Sequence, residues 1–191
     1  MNSPTSSTDT TAKAWTIDPA HSQVEFSVRH MMISNVKGSF EALEGTIHLN
    51  EDEFTASSVG VTIEAGSITT RNEDRDNHLR SGDFFDVESH PHLRFSSDRV
   101  EGTPESFRIT GSLTVRGNTR TVTLEGEELG RGTDPWGNPR VGFRASTEIS
   151  REEFGLTWNQ ALETGGVLVG DKVKISLEVQ AIPASDESGE G

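Results

Sequence analysis

The clearest structural signal in the chain is the segment Gln23-Val24-Glu25-Phe26-Ser27-Val28-Arg29, in which polar and apolar side chains alternate one by one. Successive side chains of a β-strand point to opposite faces of the sheet, so this segment predicts a strand with one apolar and one charged face. Pro19, which precedes it, favours a bend over a central strand. The run His30-Met31-Met32-Ile33, which follows it, breaks the alternation and is expected at a rim.

The same alternation returns along most of the chain. Seven further strands are predicted within residues 36–49, 59–63, 93–95, 107–115, 122–124, 141–149 and 173–181. No strand is apolar on both faces, which excludes a parallel α/β sheet. Because a long antiparallel sheet exposes two edges unless it closes, the pattern predicts an all-β fold. We expect an antiparallel, up-and-down, eight-stranded, lipocalin-like barrel with short turns.

One segment departs from the strand pattern. Residues 71–86 are expected to form a short helical insertion that begins with the capping pattern Thr70-x-x-Glu73 and ends at Gly82 as a left-handed cap. The adjacent rings Phe84 and Phe85 follow, one expected in the core and one on a rim. The insertion could serve only to close one end of the barrel, or it could also contact a ligand inside. Spacing alone favours the first interpretation.

Composition limits the function. The 191 residues suffice for one domain at 14–183, with a disordered tail at 1–13 and a disordered acidic tail at 184–191. A formal charge of −14 argues against nucleic acid and against electrostatic docking on anionic membranes. No apolar run approaches the roughly 20 residues of a membrane span. The start of the chain lacks the features of a secretory signal, so we expect a soluble, cytoplasmic protein.

The inward-facing side chains of the predicted barrel are uniformly apolar. They are Val24, Phe26, Val28, Phe40, Val61, Ile63, Phe95, Ile109, Leu113, Val122, Leu124, Phe143, Ile175 and Leu177. Gly111 and Gly126 interrupt this row. The glycines either leave volume for an apolar chain or serve only the coiling of the strands. The sequence leaves both readings open.

No catalytic residue is predicted. Zero cysteines exclude a thiol nucleophile, and no Gly-x-Ser-x-Gly elbow is present. Partial catalytic pairs are conceivable between Asp76 and His78 and between Asp18 and His21.

No metal or cofactor is predicted either. The six histidines form no local ligand set, and His90-Pro91-His92 would need a third ligand from elsewhere. Arg71, Arg75 and Arg80 would meet an anionic head group or, as we favour, offset the helix acids across helix turns.

Several segments together resemble the YceI family, in the order in which that family has them. They are Trp15-Thr16-Ile17-Asp18-Pro19-Ala20-His21-Ser22 with Val24-x-Phe26-x-Val28-x-His30, then Asn77-His78-Leu79-Arg80-Ser81-Gly82-Asp83-Phe84-Phe85-Asp86-Val87, Gly111-x-Leu113-Thr114-Val115-Arg116-Gly117, Arg151-x-x-Phe154-Gly155-Leu156-x-Trp158 and Val169-Gly170-Asp171-x-Val173.

The resemblance implies a lipocalin-like barrel that holds a long isoprenoid or similar amphiphile and is often a homodimer. Many members carry a signal peptide and are periplasmic, and this chain departs from that. It also has His90 where the family usually has an aromatic residue before the proline.

The prediction is therefore non-catalytic binding, transport or sequestration of a long isoprenoid or similar amphiphilic lipid. The alternatives are an enzyme that acts on an isoprenoid-like or quinone-like substrate with His or Arg at the barrel mouth, and a structural or stress-response barrel without a ligand. The predicted ligand-binding residues are Phe26, Val28, His30, Phe40, Ile63, Phe84, Phe85, Phe95, Ile109, Leu113, Phe143, Leu156, Trp158 and Ile175.

Overall fold

The structure is a computed structural model and describes residues 12–185. The predicted tails therefore fall largely outside the described residues, which do not include 1–11 or 186–191. Lys13, which we placed in the first tail, opens the first strand. Ala184, placed in the second tail, donates its backbone N–H to the carbonyl oxygen of Ala14 at 2.9 Å.

Within these residues the chain forms eleven β-strands and one α-helix. The strands are β1 (Lys13–Ile17), β2 (Gln23–His30), β3 (Ser34–Phe40), β4 (Leu43–Leu49), β5 (Ser58–Glu64), β6 (Ile68–Thr69), β7 (His92–Thr103), β8 (Ser106–Val115), β9 (Asn118–Thr133), β10 (Pro139–Ser150) and β11 (Val169–Pro183). Helix α1 (Glu73–Arg80) lies between β6 and β7.

All strands belong to one antiparallel sheet that closes on itself. The strand β1 pairs with β4 on one side and with β11 on the other. The closed ring consequently runs β1-β4-β5-β7-β8-β9-β10-β11, and β2, β3 and β6 continue the sheet from β11. The predicted eight-stranded antiparallel barrel is confirmed.

The extra strands arise largely where the sheet bends. A short 3-10 turn at Pro19–His21 separates β1 from β2, and both strands pair with β11. The predicted strand at 36–49 is likewise divided, because pairing stops at Glu41 and Ala42 between β3 and β4. Each bend lets one continuous run of chain wrap around the core, as closure of a barrel requires.

The hairpin between β8 and β9 has a two-residue turn. Val115 lies opposite Asn118, and the central residues Arg116 and Gly117 have φ angles of 49° and 73°. Positive φ at both positions matches the twist of the flanking strands. The ring of His90 lies 3.1 Å from the place where a Cβ of residue 117 would sit, so space as well as conformation favours glycine.

The helix forms where it was predicted, but its caps differ. Asn72, not Thr70, caps the N-terminus, and its side-chain oxygen accepts the backbone N–H of Arg75 at 3.0 Å. Asparagine is as good a cap as threonine, so the sequence pattern could not rank the two. Ser81 forms the C-cap with φ −73°, and Gly82 is absent from the residues with positive φ.

The helix arginines bind backbone carbonyls. Arg75 donates to the carbonyl oxygen of Thr70 at 3.0 Å, and Arg80 donates to those of Gly66 and Ile68, each at 3.0 Å. No arginine of residues 71–80 has an ion pair among the described residues. The preferred interpretation, that these arginines offset the helix acids, is wrong, and two of them instead tie the helix to the chain before it.

Candidate functional site

The interior of the barrel contains a cavity of about 240 Å³. Its walls come from the strands of the closed ring, from β2 and β3, and from the segment after β6. All fourteen side chains that the alternation placed on the inner face line it. The prediction that these side chains face the interior is confirmed. Alternation could assign them because one face of each strand is buried, which fixes the register of the strand.

Twelve of the fourteen predicted ligand-binding residues line this cavity. They are Phe26, Val28, Phe40, Ile63, Phe84, Phe85, Phe95, Ile109, Leu113, Phe143, Leu156 and Ile175. The other two do not. His30 is half-buried at the end of β2, where it pairs with Ser34 and Val169. The ring centre of Trp158 lies 5.5 Å from that of Phe84 and 4.7 Å from that of His78, so Trp158 packs against the insertion.

The helical insertion closes one end of the barrel and also reaches the cavity. We call residues 73–87 the plug. Leu79, Phe84 and Phe85 of the plug line the cavity. The ring of Phe85 meets that of Phe40 edge-on at 5.7 Å. Both adjacent rings therefore face inward, against the expectation that one would lie on a rim, and the plug does more than close the end.

The inward glycines do not leave free volume. An ideal Cβ on Gly126 would lie 2.8 Å from the ring of Phe107, its partner across the sheet. A Cβ on Gly111 would lie 2.7 Å from the ring of Phe95. Each glycine is covered by a phenylalanine ring that a side chain would displace. The reading in which glycine leaves volume is wrong, and the glycines instead allow the rings to lie flat along the coiled strands.

Several cavity residues were missing from the predicted site. Phe107, Val173 and Val179 share the inward parity of their strands, and carrying the alternation to the strand ends would have found them. Leu79 and Phe154 lie on helical turns, where a period of two gives no signal.

Arg151 is the only charged side chain that lines the cavity within residues 12–185. The residue is 3% exposed, and its guanidinium donates to the carbonyl oxygens of Leu156, Trp158, Val169 and Gly170. Burial lowers the pKa of Arg151 below its ordinary value. Because its donors are directed at backbone oxygens, this side chain ties the 3-10 turn Arg151–Phe154 to the chain leading into β11.

The residues of the two suspected catalytic pairs contact other polar residues of the fold. His78 lies 2.9 Å from Asp83 and not beside Asp76, whose carboxylate accepts from Thr70. His21 does lie 2.7 Å from Asp18, at the opposite end of the barrel. Arg140 also binds Asp18 at 2.7 Å and, with the His21 contact, lowers the pKa of Asp18 to about 2. Neither pair borders the cavity.

The described residues contain neither a cluster of metal ligands nor a helix that could span a membrane. In the part of the chain that the structure describes, no three His, Asp or Glu side chains converge as a metal site would require. His90 lies against Gly117, and His92 pairs with Glu64 in the sheet. The one α-helix among residues 12–185 is too short and too polar to cross a bilayer.

An antiparallel barrel that encloses an apolar cavity beneath a helical plug is a lipocalin-like barrel. The chain belongs to the YceI family, whose YceI-like domain matches residues 15–181. It is 37% identical to a UPF0312 protein of Staphylococcus epidermidis over 164 residues, which cover 85% of this chain and 94% of that protein. A UPF0312 protein of Staphylococcus aureus is also 37% identical, over 87% of this chain and 95% of its own length.

Solved structures share the fold. The YceI protein of Campylobacter jejuni matches with a TM-score of 0.69 and 30% identity, over 82% of this chain and 90% of that one. BcnA of Burkholderia cenocepacia matches with a TM-score of 0.75 and 21% identity, over 86% and 98%. A polyisoprenoid-binding domain from Saccharophagus degradans matches with a TM-score of 0.65 and 13% identity, over 90% and 99%. At such low identity the last two matches bear on the fold alone.

Proposed function

We propose that this protein binds one long isoprenoid or similar amphiphilic chain inside the barrel and carries or sequesters it. The observation that supports this most directly is the cavity itself. It is continuous from Phe107 and Phe143 near one end to Leu79 and Leu156 near the plug, and its walls are almost entirely apolar. Such a cavity favours a ligand that is apolar along its length.

The volume favours a slender ligand. Small-molecule sites usually measure about 300–1,000 Å³, and this cavity, at about 240 Å³, lies just below that range. Eight-stranded barrels have room for side chains and one small ligand. A single unbranched or methyl-branched chain suits these dimensions better than a fused ring system.

The lining of the cavity also favours binding without catalysis. Among residues 12–185 the ionisable side chain at the cavity is Arg151, and its donors already hold backbone carbonyls. General acid–base catalysis needs a titratable group within hydrogen-bond reach of the substrate. The neighbour from Saccharophagus degradans is described as polyisoprenoid-binding, and a ligand of that class suits the apolar lining here.

The proposal is tested by native mass spectrometry of the purified protein, followed by solvent extraction and addition of geranylgeraniol. We expect a co-purifying or added prenyl chain at one molecule per barrel. In Ala145→Phe the new ring projects into the cavity that Ala145 lines, so the affinity should fall by at least about tenfold as the ring takes up the chain's volume.

The matched control is Ser146→Phe, which adds the same ring one residue along β10 on the exposed outer face. This variant should bind as the unmodified protein does. The proposal fails if the unmodified protein binds no prenyl chain from either source, or if Ala145→Phe binds it undiminished.

A further inference from the structure

The turn between β2 and β3 holds an unusual pair of residues. Met31 and Met32 have φ angles of 52° and 59°, and Ile33 donates its N–H to the carbonyl oxygen of His30 at 3.1 Å. Two positive φ angles in a hairpin turn normally select Asn and Gly, which tolerate that region. Two methionines therefore hold a disfavoured backbone, and such strain is concentrated at functional positions.

These residues are also exposed. Met31 is 43% exposed, Met32 57% and Ile33 76%. Val167, 40% exposed, lies beside them, because Met32 packs on Gly166 and Met31 donates to the carbonyl of Leu168. We call Met31, Met32, Ile33 and Val167 the apolar tip. Of the six exposed large apolar side chains among residues 12–185, these are four.

Unpaired cations stand on the strands behind the apolar tip. Lys37, Lys172 and Lys174, three of the chain's four lysines, are exposed on β3 and β11. Lys37 and Lys174 flank Ser27 of β2 from its two sides. In the described part of the chain none of the three has a carboxylate partner in an ion pair. Their charge is opposite in sign to the net charge of −14.

Arg29 adds a fourth cation and braces the turn, since its guanidinium donates to the carbonyl oxygen of Met32 at 3.2 Å. Carboxylates are present nearby, and Glu148 lies opposite Lys174 in the sheet. It does not pair with that lysine. The ammonium groups of Lys37, Lys172 and Lys174 are therefore available to an external anion.

The apolar tip lies next to residues of the cavity wall. Val28 and Val169 line the cavity, and Val169 pairs with His30, the residue before Met31. We propose that the apolar tip inserts into the surface of a lipid bilayer that contains anionic lipids, with the lysines behind it facing the head groups. This inference rests on the proposed function, because a carrier must receive its apolar chain from a membrane. Four side chains are too few for a standard protein interface of about 800 Å² per partner, which favours a membrane over a second copy of the chain.

The test is flotation of the full chain with vesicles of phosphatidylcholine containing about one-quarter phosphatidylglycerol. We expect binding that falls in phosphatidylcholine alone and at high salt. In the variant Met31→Asn/Met32→Gly/Ile33→Thr, the partition coefficient should fall by at least about tenfold, because three apolar side chains are lost. Asn-Gly suits the positive φ angles, so this variant should melt at the same temperature or higher.

The matched control is Trp136→Ser, which removes an 81% exposed ring from the β9–β10 turn at the opposite end. It should leave flotation unchanged. A second variant, Lys37→Gln/Lys172→Gln/Lys174→Gln, should bind the anionic vesicles more weakly. Its binding to vesicles of phosphatidylcholine alone should not change.

Two results would overturn the proposal: no flotation of the unmodified protein, or equal flotation of the Asn-Gly variant. Dissociation of a dimer in that variant, seen by light scattering without any vesicle binding, would assign the apolar tip to a second copy and also overturn it. Prenyl binding is measured separately by native mass spectrometry. A protein that floats without binding a chain contradicts the carrier function, and one that binds a chain without floating contradicts the docking.

Discussion

Gly126 shows how one residue sets the shape of the inner wall. A Cβ at this position would lie 2.2 Å from the carbonyl oxygen of Arg144 on β10 and 2.8 Å from the ring of Phe107 across the β8–β9 pair. The same arrangement joins Gly111 to Phe95 and Gly38 to Phe26. The bore of the barrel is therefore shaped by rings that lie over glycines.

Gly126→Ala should destabilise the protein by about 1–3 kcal/mol, because the new methyl group forces the Phe107 ring or the backbone to move. The measurement is chemical denaturation. Gly132→Ala is the matched control on the same strand, since nothing lies within 4 Å of its Cβ position. A change in Gly126→Ala no larger than in Gly132→Ala would contradict the packing described here.

Asp18 should make the barrel sensitive to acid. Its carboxylate accepts from Arg140 and pairs with His21, which lowers its pKa from 3.8 to about 2. A carboxyl whose pKa is lower in the folded than in the unfolded state stabilises the fold above its unfolded pKa. That contribution is lost as the pH falls from about 4 to about 2.

At pH 6 the melting temperature of Asp18→Asn should be lower than that of the unmodified protein. This difference in melting temperature should become smaller as the pH falls from 3.8 towards 2. Asp98→Asn, at an exposed carboxylate on β7, is the control and should show no such closing gap. A gap that stays constant across this range would show that Asp18 acts through packing alone.

The plug is held by a polar contact at its base. Asp76, 6% exposed on α1, accepts the backbone N–H of Thr70 at 2.8 Å and the hydroxyl of the same residue. Thr70 is also 6% exposed, so its N–H has no water to replace that acceptor. The helix is too short to be stable by itself, and this contact joins it to the residue that follows β6.

Asp76→Ala should cost about 1–3 kcal/mol, the penalty for an unsatisfied buried donor. Amide hydrogen exchange should rise over α1 more than over the barrel strands. Asp74→Ala removes an exposed acid from the same helix turn and should cost less, because it loses only a contribution to the helix dipole. Equal effects in the two variants would contradict the anchoring role.

Closure of the barrel depends on contacts between the ends of the chain. The strand β1 pairs with β11 through Trp15, Thr16 and Ile17, which stand opposite Pro183, Ile182 and Ala181. The first and last described strands thereby complete the ring, and no edge remains between them. The cavity exists because this ring is closed around it.

A ligand that fills the cavity should raise the stability of the barrel as a unit. Binding to the folded state alone adds about 2.7 kcal/mol at one hundred times the dissociation constant. For a domain of this size, that corresponds to about 5–10 °C in melting temperature. Protein stripped with solvent and reloaded with geranylgeraniol should show this rise by calorimetry. Ala145→Phe should not, and an equal rise in both would place the ligand outside the cavity.

The sequence by itself determined the class of fold and the inner wall. Alternation with period two is a local property, so Val24, Phe26, Val28 and the other inward residues could be assigned strand by strand. The helix was found from its departure from this period, although its cap was not.

Only the tertiary structure decided whether the wall encloses space and what closes it. Gly111 and Gly126 were compatible with an open or a filled bore until the rings across the sheet were placed over them. Arg151 carries a charge that predicts exposure, yet carbonyl oxygens from the segment just after it and from the start of β11 allow it to be buried. Both outcomes depend on contacts between residues far apart in the chain, and a pattern of neighbours carries no information about such contacts.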